Sequence, residues 1–423
     1  VSPPPPAGPA GPMFPLRTVV LAAFVPAFLF DLGVGALLPV IAPTAVGLGA
    51  SLAVAGVVAA LMSVGQILAD LPAGALAARV GDRRAMVLAG AVAALAFLAA
   101  AWSASLLLLA LAALALGAAA AVFNLARHAY LTEITPPLRR ARVLSTLAGV
   151  HRIGLFVGPF AGAAVIAAGE LAHVYLFGAA AAVAATVAAA AAGQDPSAPS
   201  GGSRQQRRAA ARAAQADRPR TAQVLTEFRP VFATLGIAVL LVGTVRGARQ
   251  TVLPLWTEHL GVDPATTSVV FGIAGAVDML LFYPAGKVMD RYGRLWIGVP
   301  SMLLVAASMV ALPLTHTVVA VSVVAALMGL GNGLGSGILM TLGADVAPAR
   351  GRAQFLGMWR VFQDGGAAAG PLVVSAGAAL GSLAAGIWVI GAIGAAAAAA
   401  LGRWAPRWSV HANQTTRRRA GLL

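Results

Sequence analysis

No cysteine occurs among the 423 residues, which removes disulfides, iron–sulfur ligation and thiol catalysis together. Histidine is scarce and scattered, six in all, so no metal site is expected. Charge is scarce as well: 10% of residues are charged, against about a quarter in soluble domains. A surface so poor in charge has to face something other than water, and a soluble globular fold is excluded. There is no His/Glu zinc motif, no serine nucleophile with a plausible base and no glycine-rich phosphate loop. The expectation is therefore no catalytic residue, no cofactor, no enzyme activity and no ATP-driven pump.

What the chain has is length of apolar run. Hydrophobic residues make up 59% and the mean hydropathy is +0.86. A run of about 20 apolar residues crosses a ~30 Å hydrocarbon core as a helix. Twelve such runs follow one another, at about 17–41, 52–77, 85–102, 106–135, 143–168, 172–192, 230–256, 267–288, 295–313, 318–344, 354–377 and 383–402, hereafter spans 1 to 12. They imply an all-α integral membrane protein built from two six-helix bundles, residues 16–192 and 230–402. Residues 1–15 read as a proline-rich disordered tail, without the basic start and short apolar core of a signal peptide. Residues 193–229 read as a basic linker and 403–423 as a basic tail.

Net charge is +15, yet its placement argues against nucleic acid. Of the 29 basic residues, 24 fall in the loops and tails of one side, and the other five lie within spans. Such one-sidedness is the positive-inside pattern, which places both termini in the cytoplasm and the protein in the cell's inner (plasma) membrane. Anionic membrane lipid is the natural partner of those loops. The chain is expected to act as a monomer.

The two bundles repeat one another. Pro72-Ala73-Gly74 returns 212 residues later as Pro284-Ala285-Gly286, and Gly154, Gly158 and Pro159 return as Gly366, Gly370 and Pro371. Gly117 likewise returns as Gly329. Ordinary small-residue packing explains one match but not an ordered series, and duplicated halves suggest a transporter rocking about a midplane site.

Three motifs carry a resemblance. After span 8, Gly286-Lys287-Val288-Met289-Asp290-Arg291-Tyr292-Gly293-Arg294 fits the pattern GxxxD(R/K)xGR. Its first-half copy, with Gly74, Gly81 and Arg83, is degraded, having Ala78 in the acid's place and Asp82 where a base is usual. In span 5, Gly154, Gly158, Pro159 and Gly162 resemble GxxxGPxxGG, and in span 1 Asp31-Leu32-Gly33-Val34-Gly35 supplies an acid ahead of Pro39 and Pro43. On these residues the chain resembles the twelve-helix major facilitator superfamily, over about residues 16 to 402. The span 5 motif resembles its proton-coupled drug antiporters. The family's arginine in span 4 is missing, Ala113 standing there, with Arg127 deeper in the span. By this resemblance Asp290 should reach Arg139, Arg140 or Arg142, or the start of span 5, in the other bundle.

An ionisable side chain in hydrocarbon costs about 2.5–3.5 kcal/mol or more, so each one needs a partner, a cavity or a proton. The resemblance implies that spans 2 and 11, and spans 5 and 8, pair across the bundles; matched by depth, Asp70 is expected to meet Arg360, Asp278 to meet Arg152 and Gln66 to meet Asp364, as an inter-bundle gate. Asp31 has no acidic counterpart; counting eight residues back from a proline makes Arg246 its equivalent. Proton coupling is expected at Asp31 and Asp278 with Arg127 and Arg246, and the resemblance, by which spans 1, 4, 7 and 10 line the cavity, implies a substrate cavity with Asp31, Arg127, His128, Arg246 and Arg249. His151, beside Arg152, reads either as a titrating group or as a packing residue.

The resulting expectation is a secondary transporter using alternating access and protons to export a small organic or drug-like compound. The runner-up is an importer or facilitator of an anionic metabolite, favoured by five arginines within spans against four aspartates.

Overall fold

The computed structural model describes residues 20–135, 137–191, 221–348 and 351–421. The tail at 1–15 and most of the 193–229 linker lie outside these. Among the described residues the helices make up twelve spans. Span 1 starts with a π-helical turn, Val20–Phe24, continues as Val25–Leu37 and bends by 42° into Ile41–Gly47. Spans 2 to 6 are Leu52–Val80, Asp82–Ala101, Leu106–Ile134, Pro137–Ala168 and Ala172–Ala191. A short helix, Thr221–Glu227, leads into span 7, which again starts with a π-helical turn, Phe232–Gly236, before Ile237–His259. Spans 8 and 9 are Pro264–Tyr292 and Leu295–Ala311, and span 10 is broken into Val318–Leu334 and Ile338–Val346. Spans 11 and 12 are Arg352–Ala379 and Leu383–Trp408, and the tail ends in a helix, Gln414–Arg419. Span 12 thus runs six residues past its expected end at 402.

Ten of the described helices are long and apolar enough to cross a membrane, and bent span 1 makes eleven. Span 11 falls short because Arg360, Gln363 and Asp364 interrupt it.

The two ends of the bundle are built differently. Where spans 2, 4, 8, 10 and 12 begin, Ser51, Ser105, Asp263, Thr317 and Ser382 each accept a hydrogen bond from the amide three residues on, capping the helix. At the opposite, arginine-rich end, spans 3, 9 and 11 start from Gly81, Gly293 and Gly351, at φ +91°, +107° and +78°. Those backbone angles suit glycine.

The 212-residue repeat is kept contact by contact. The π-helical turns at Val20–Phe24 and Phe232–Gly236 are one period apart. A Cβ at Gly117 would strike the Met62 backbone and one at Gly329 the Ala274 backbone, and 62 and 274 again differ by 212. The ridges of spans 5 and 11 lie as closely on spans 1 and 7. In this register Asp31 corresponds to Gly243, and Arg246 to Val34. The proline count that equated Asp31 with Arg246 fails because the break in span 1, at residues 38–40, has no counterpart at the same register in span 7.

Candidate transport site

Span 1 brings Asp31 to the middle of the first bundle, where Gly154 of span 5 comes so close that an added Cβ would sit 2.8 Å from the Asp31 Cβ. The span 5 motif is thus a packing surface for the acidic span 1. Two bases clasp the carboxylate. Arg127 of span 4 donates from Nη1 to Asp31 Oδ2 at 3.1 Å, and His151 Nδ1 of span 5 lies 2.9 Å from the same oxygen, without hydrogen-bond alignment. Asp31 and Arg127 are each 2% exposed, whereas the His151 side chain is 37% exposed. Burial of a lone carboxylate is costly, so the arginine is what keeps Asp31 at this depth.

The second cluster centres on Asp278 of span 8. Arg152 of span 5 and Arg249 of span 7 donate to its two oxygens at 3.5 and 3.3 Å, and Asn332 Nδ2 of span 10 donates at 2.6 Å. Arg152 also donates to Ser336 Oγ, at 2.8 Å, in the break of span 10. His151 and Arg152 are neighbours in sequence, yet one turns to the acid of its own bundle and the other to the acid of the opposite bundle.

Between the clusters lie two adjoining cavities, about 150 and 210 Å³ in volume, which share Leu38, His151, Leu155 and Gln250 in their walls. Asp31, Gln66, Asn124 and Thr251 line the first; Arg152, Arg249, Asp278, Phe156 and Phe271 line the second. The Asn124 side-chain oxygen is buried without a partner. A third cavity, about 80 Å³, shares Ser63, Gln66 and Asn124 with the first and runs to Asp70, Arg360 and Asp364, towards the arginine-rich end. At the other end the bundles close on one another: Gly56 leaves no room for a Cβ beside Ser375 and Leu255, nor Gly272 beneath the Phe160 ring.

Several expected placements are corrected. Arg360 pairs with Asp364 four residues on, at 3.2 Å, and not with Asp70, which lies within reach of its charge but makes no ion pair. Gln66 and Asp364 share a cavity without a hydrogen bond between them. Asp70, Arg360 and Asp364 line one cavity, and the arginine takes the acid one turn on in its own helix. Arg246 is spent on the broken span 10, donating to the Gly335 carbonyl, and reaches neither Asp31 nor the cavities. Arg127 stands behind Asp31, outside the cavity walls. His128 is not in the walls of these cavities, its Nδ1 lying 2.8 Å from the Asn124 carbonyl; one residue of a helix turns the side chain by about 100°. His151, which depth counting left unassigned, is the histidine that lines the cavities. Its signal was position 151, three residues before Gly154 on the ridge that packs against span 1.

Asp290 meets Arg294 at 3.1 Å; the side chains at 139, 140 and 142, which it was expected to reach, lie outside the described residues. Arg294 Nε donates in turn to Asp345, at 3.1 Å, at the end of span 10. Burial works against the Arg294 charge, but hydrogen bonding and attraction to Asp345, then to Asp290, outweigh it and raise the pKa. Gly74 and Gly286 have open space where a Cβ would stand, so close approach explains neither. In the first half, Arg83 instead holds the end of span 6, donating from Nε to the Ala189 carbonyl at 2.8 Å and from Nη2 to that of Ala190.

Residues 23–371 match the family model described as Major Facilitator Superfamily. No curated protein sequence matches the chain. Among solved structures, a peptide transporter POT in complex with sulfate superposes with a TM-score of 0.73 at 14% identity, over 94% of this chain and 96% of that one. A D-xylose-proton symporter gives 0.70 at 15%, over 94% and 98%, and the nucleoside transporter NupG 0.69 at 15%, over 92% and 98%. At such identities the likeness is one of fold.

Proposed function

The chain belongs to the Major Facilitator Superfamily, and on that premise we propose that it is a secondary transporter that moves a small organic or drug-like compound outward in exchange for protons. The observation that carries this reading is the pair His151 and Arg152. One proton taken up by Asp31 or His151 changes the charge beside Arg152, whose bond to Asp278 ties span 5 to span 8. Protonating Asp31 removes the attraction that holds His151 and Arg127, and the residue adjoining His151 carries the inter-bundle contact. Substrate and proton then compete for one set of groups around the shared cavities. With the arginine-rich loops in the cytoplasm, the open cavity chain past Gln66 to Asp70 and Arg360 is the inward-facing arm of alternating access. The span 5 ridge favours export.

A second reading, uptake or facilitated movement of an organic anion, is favoured by the cavity wall itself, where Arg152 and Arg249 outnumber Asp278. One experiment separates the two. In proteoliposomes with an imposed pH gradient, lipophilic cations, zwitterions and organic anions are offered to wild type and to Asp31→Asn. Substrate-triggered proton movement that disappears in Asp31→Asn is the expected result. Transport without proton movement, or of anions alone, would remove the antiport reading in favour of Arg152 and Arg249 as an anion site.

A further inference from the structure

A cavity larger than those between the bundles lies elsewhere. It lies at the arginine-rich end where spans 2, 3 and 6 meet, has a volume of about 610 Å³, and is lined by Arg79, Val80, Arg83, Arg84, Val87, Leu88 and Ala190. Three guanidinium groups thus share one cavity, and none of its described lining residues is an acid. Ala78 stands where the second half has Asp290, and Asp82, the acid nearest in sequence, is not in the lining. Arg83 is fixed by the Ala189 and Ala190 carbonyls. Arg79 and Arg84 are exposed and, among the described residues, make neither an ion pair nor a hydrogen bond.

The same place in the second half is filled by protein. There Asp345 neutralises Arg294, the amides of Arg294 and Leu295 donate to the carbonyls of His411 and Ala412 in the tail, and Arg417 donates to the Asp290 carbonyl at 2.8 Å. A Cβ at Gly293 would lie 2.7 Å from the Asn413 Cα, so closely does the tail seat. The first half has no such cover over its loop among the described residues.

From the mouth of this cavity an apolar strip follows span 3. Leu88, Val92 and Leu95 are all exposed, at 48%, 46% and 67%, and with Arg84 they lie on one side of the helix. Positions 84 to 95 cover about 16 Å along the axis, close to the thickness of one hydrocarbon leaflet. Cationic groups at one end of an apolar strip one leaflet long match an amphiphile with an anionic head. We propose that the cavity binds an anionic phospholipid, Arg79 and Arg84 pairing with the headgroup phosphate and Leu88, Val92 and Leu95 carrying an acyl chain. A free phosphate would satisfy the arginines but leave the strip bare. The bound lipid would brace the junction of spans 2, 3 and 6 as the tail braces the corresponding junction of the second half.

The test is lipid titration of the purified full-length chain, read by native mass spectrometry, with phosphatidylglycerol and phosphatidylcholine of matched acyl chains. Wild type is expected to retain one phosphatidylglycerol in preference to phosphatidylcholine. R79Q/R84Q should weaken that retention about thirty-fold, the combined effect of two basic residues at a membrane surface. R79K/R84K, which keeps the charge, should lose only a few-fold, and R418Q/R419Q, which removes equal charge from the tail, should lose nothing. Should R79Q/R84Q fail to fold, L88Q/V92Q tests the same site from its apolar side and should lower retention several-fold. Equal retention of the two lipids by wild type, unchanged retention in R79Q/R84Q, or displacement of the lipid by an equal concentration of inorganic phosphate would overturn the assignment.

Discussion

At Gly158 and at Gly370, 212 residues apart, the same contact is made twice: an added Cβ would strike the backbone of span 1 at Leu32 and Ala36, or that of span 7 at Thr244 and Ala248. The charges attached to this shared skeleton are not repeated. Asp31 is matched by Gly243, Gln66 by Asp278, and Arg152 by Asp364. One seam between the bundles, spans 5 and 8, is therefore crossed by the Arg152–Asp278 ion pair. The other, spans 2 and 11, pairs Asp364 within its own helix and is open enough to hold a cavity. The difference teaches that packing, which has only a few ways to bring helices this close, held both halves to one geometry, while the buried charges were free to specialise. A molecule with two identical seams would have no preferred way to rock.

The comparison breaks most visibly at the acids. Asp31→Asn leaves Arg127, 2% exposed, without its counter-charge, and should cost about 3–5 kcal/mol of stability, the usual result of removing one partner of a buried pair. Asp278→Asn should cost less, about 1–3 kcal/mol, because Arg152 and Arg249 can turn to the cavity water and Asn332 can still bond the amide. Thermal unfolding in one detergent ranks them. D31N/R127Q should recover part of the loss, and an equal cost for the two single variants would mean that the burial difference between the clusters has no energetic weight.

Next in size are the glycines. Gly158→Ala and Gly370→Ala should each destabilise by about 1–3 kcal/mol, since the methyl group has only backbone to push against. Gly74→Ala and Gly286→Ala, facing open space inside helices, should be neutral or gain about 0.5–1 kcal/mol. Matched losses at 158 and 370 would sharpen the picture of one skeleton used twice; a loss at only one would break it.

The sequence carried the skeleton better than the site. Spans were legible because apolar runs and one-sided arginines are properties of segments, and the repeat because glycines recur at a fixed period. Partners were not, because they depend on how each helix is turned about its axis. Arg246 counts to the right depth for Asp31 yet ends on the Gly335 carbonyl, in a break of span 10 that its run of glycines did not locate. Asp70 and Arg360 count to the same depth and line one cavity, but the guanidinium turns to Asp364 on its own helix. His151 lay one position from a residue already assigned, and only the rotation of span 5 tells the two apart. The tail, residues 409–419, read as plain basic solvent-facing chain; its docking needed the Asn413 cap, where Oδ1 accepts from the Thr416 amide at 2.9 Å, and the left-handed Gly293, neither visible as a pair until folded.

That tail supplies the smallest effect and the most local one. Asp345 accepts from Arg294 and also from Ser409 Oγ, at 3.0 Å, so a single carboxylate joins the end of span 10, the start of span 9 and the tail. The two backbone bonds from Arg294 and Leu295 to His411 and Ala412 continue the same junction. Asp345→Asn keeps the shape but loses the charge assistance of a mostly buried pair, worth about 1 kcal/mol. Amide hydrogen exchange should then quicken several-fold across 409–419 and at Leu295, while the first-half loop at 81–84, which Asp345 does not touch, stays as it was. Exchange that quickened equally in both loops would show the two ends to be coupled through the bundle, and the separate bracing of each half would have to be given up.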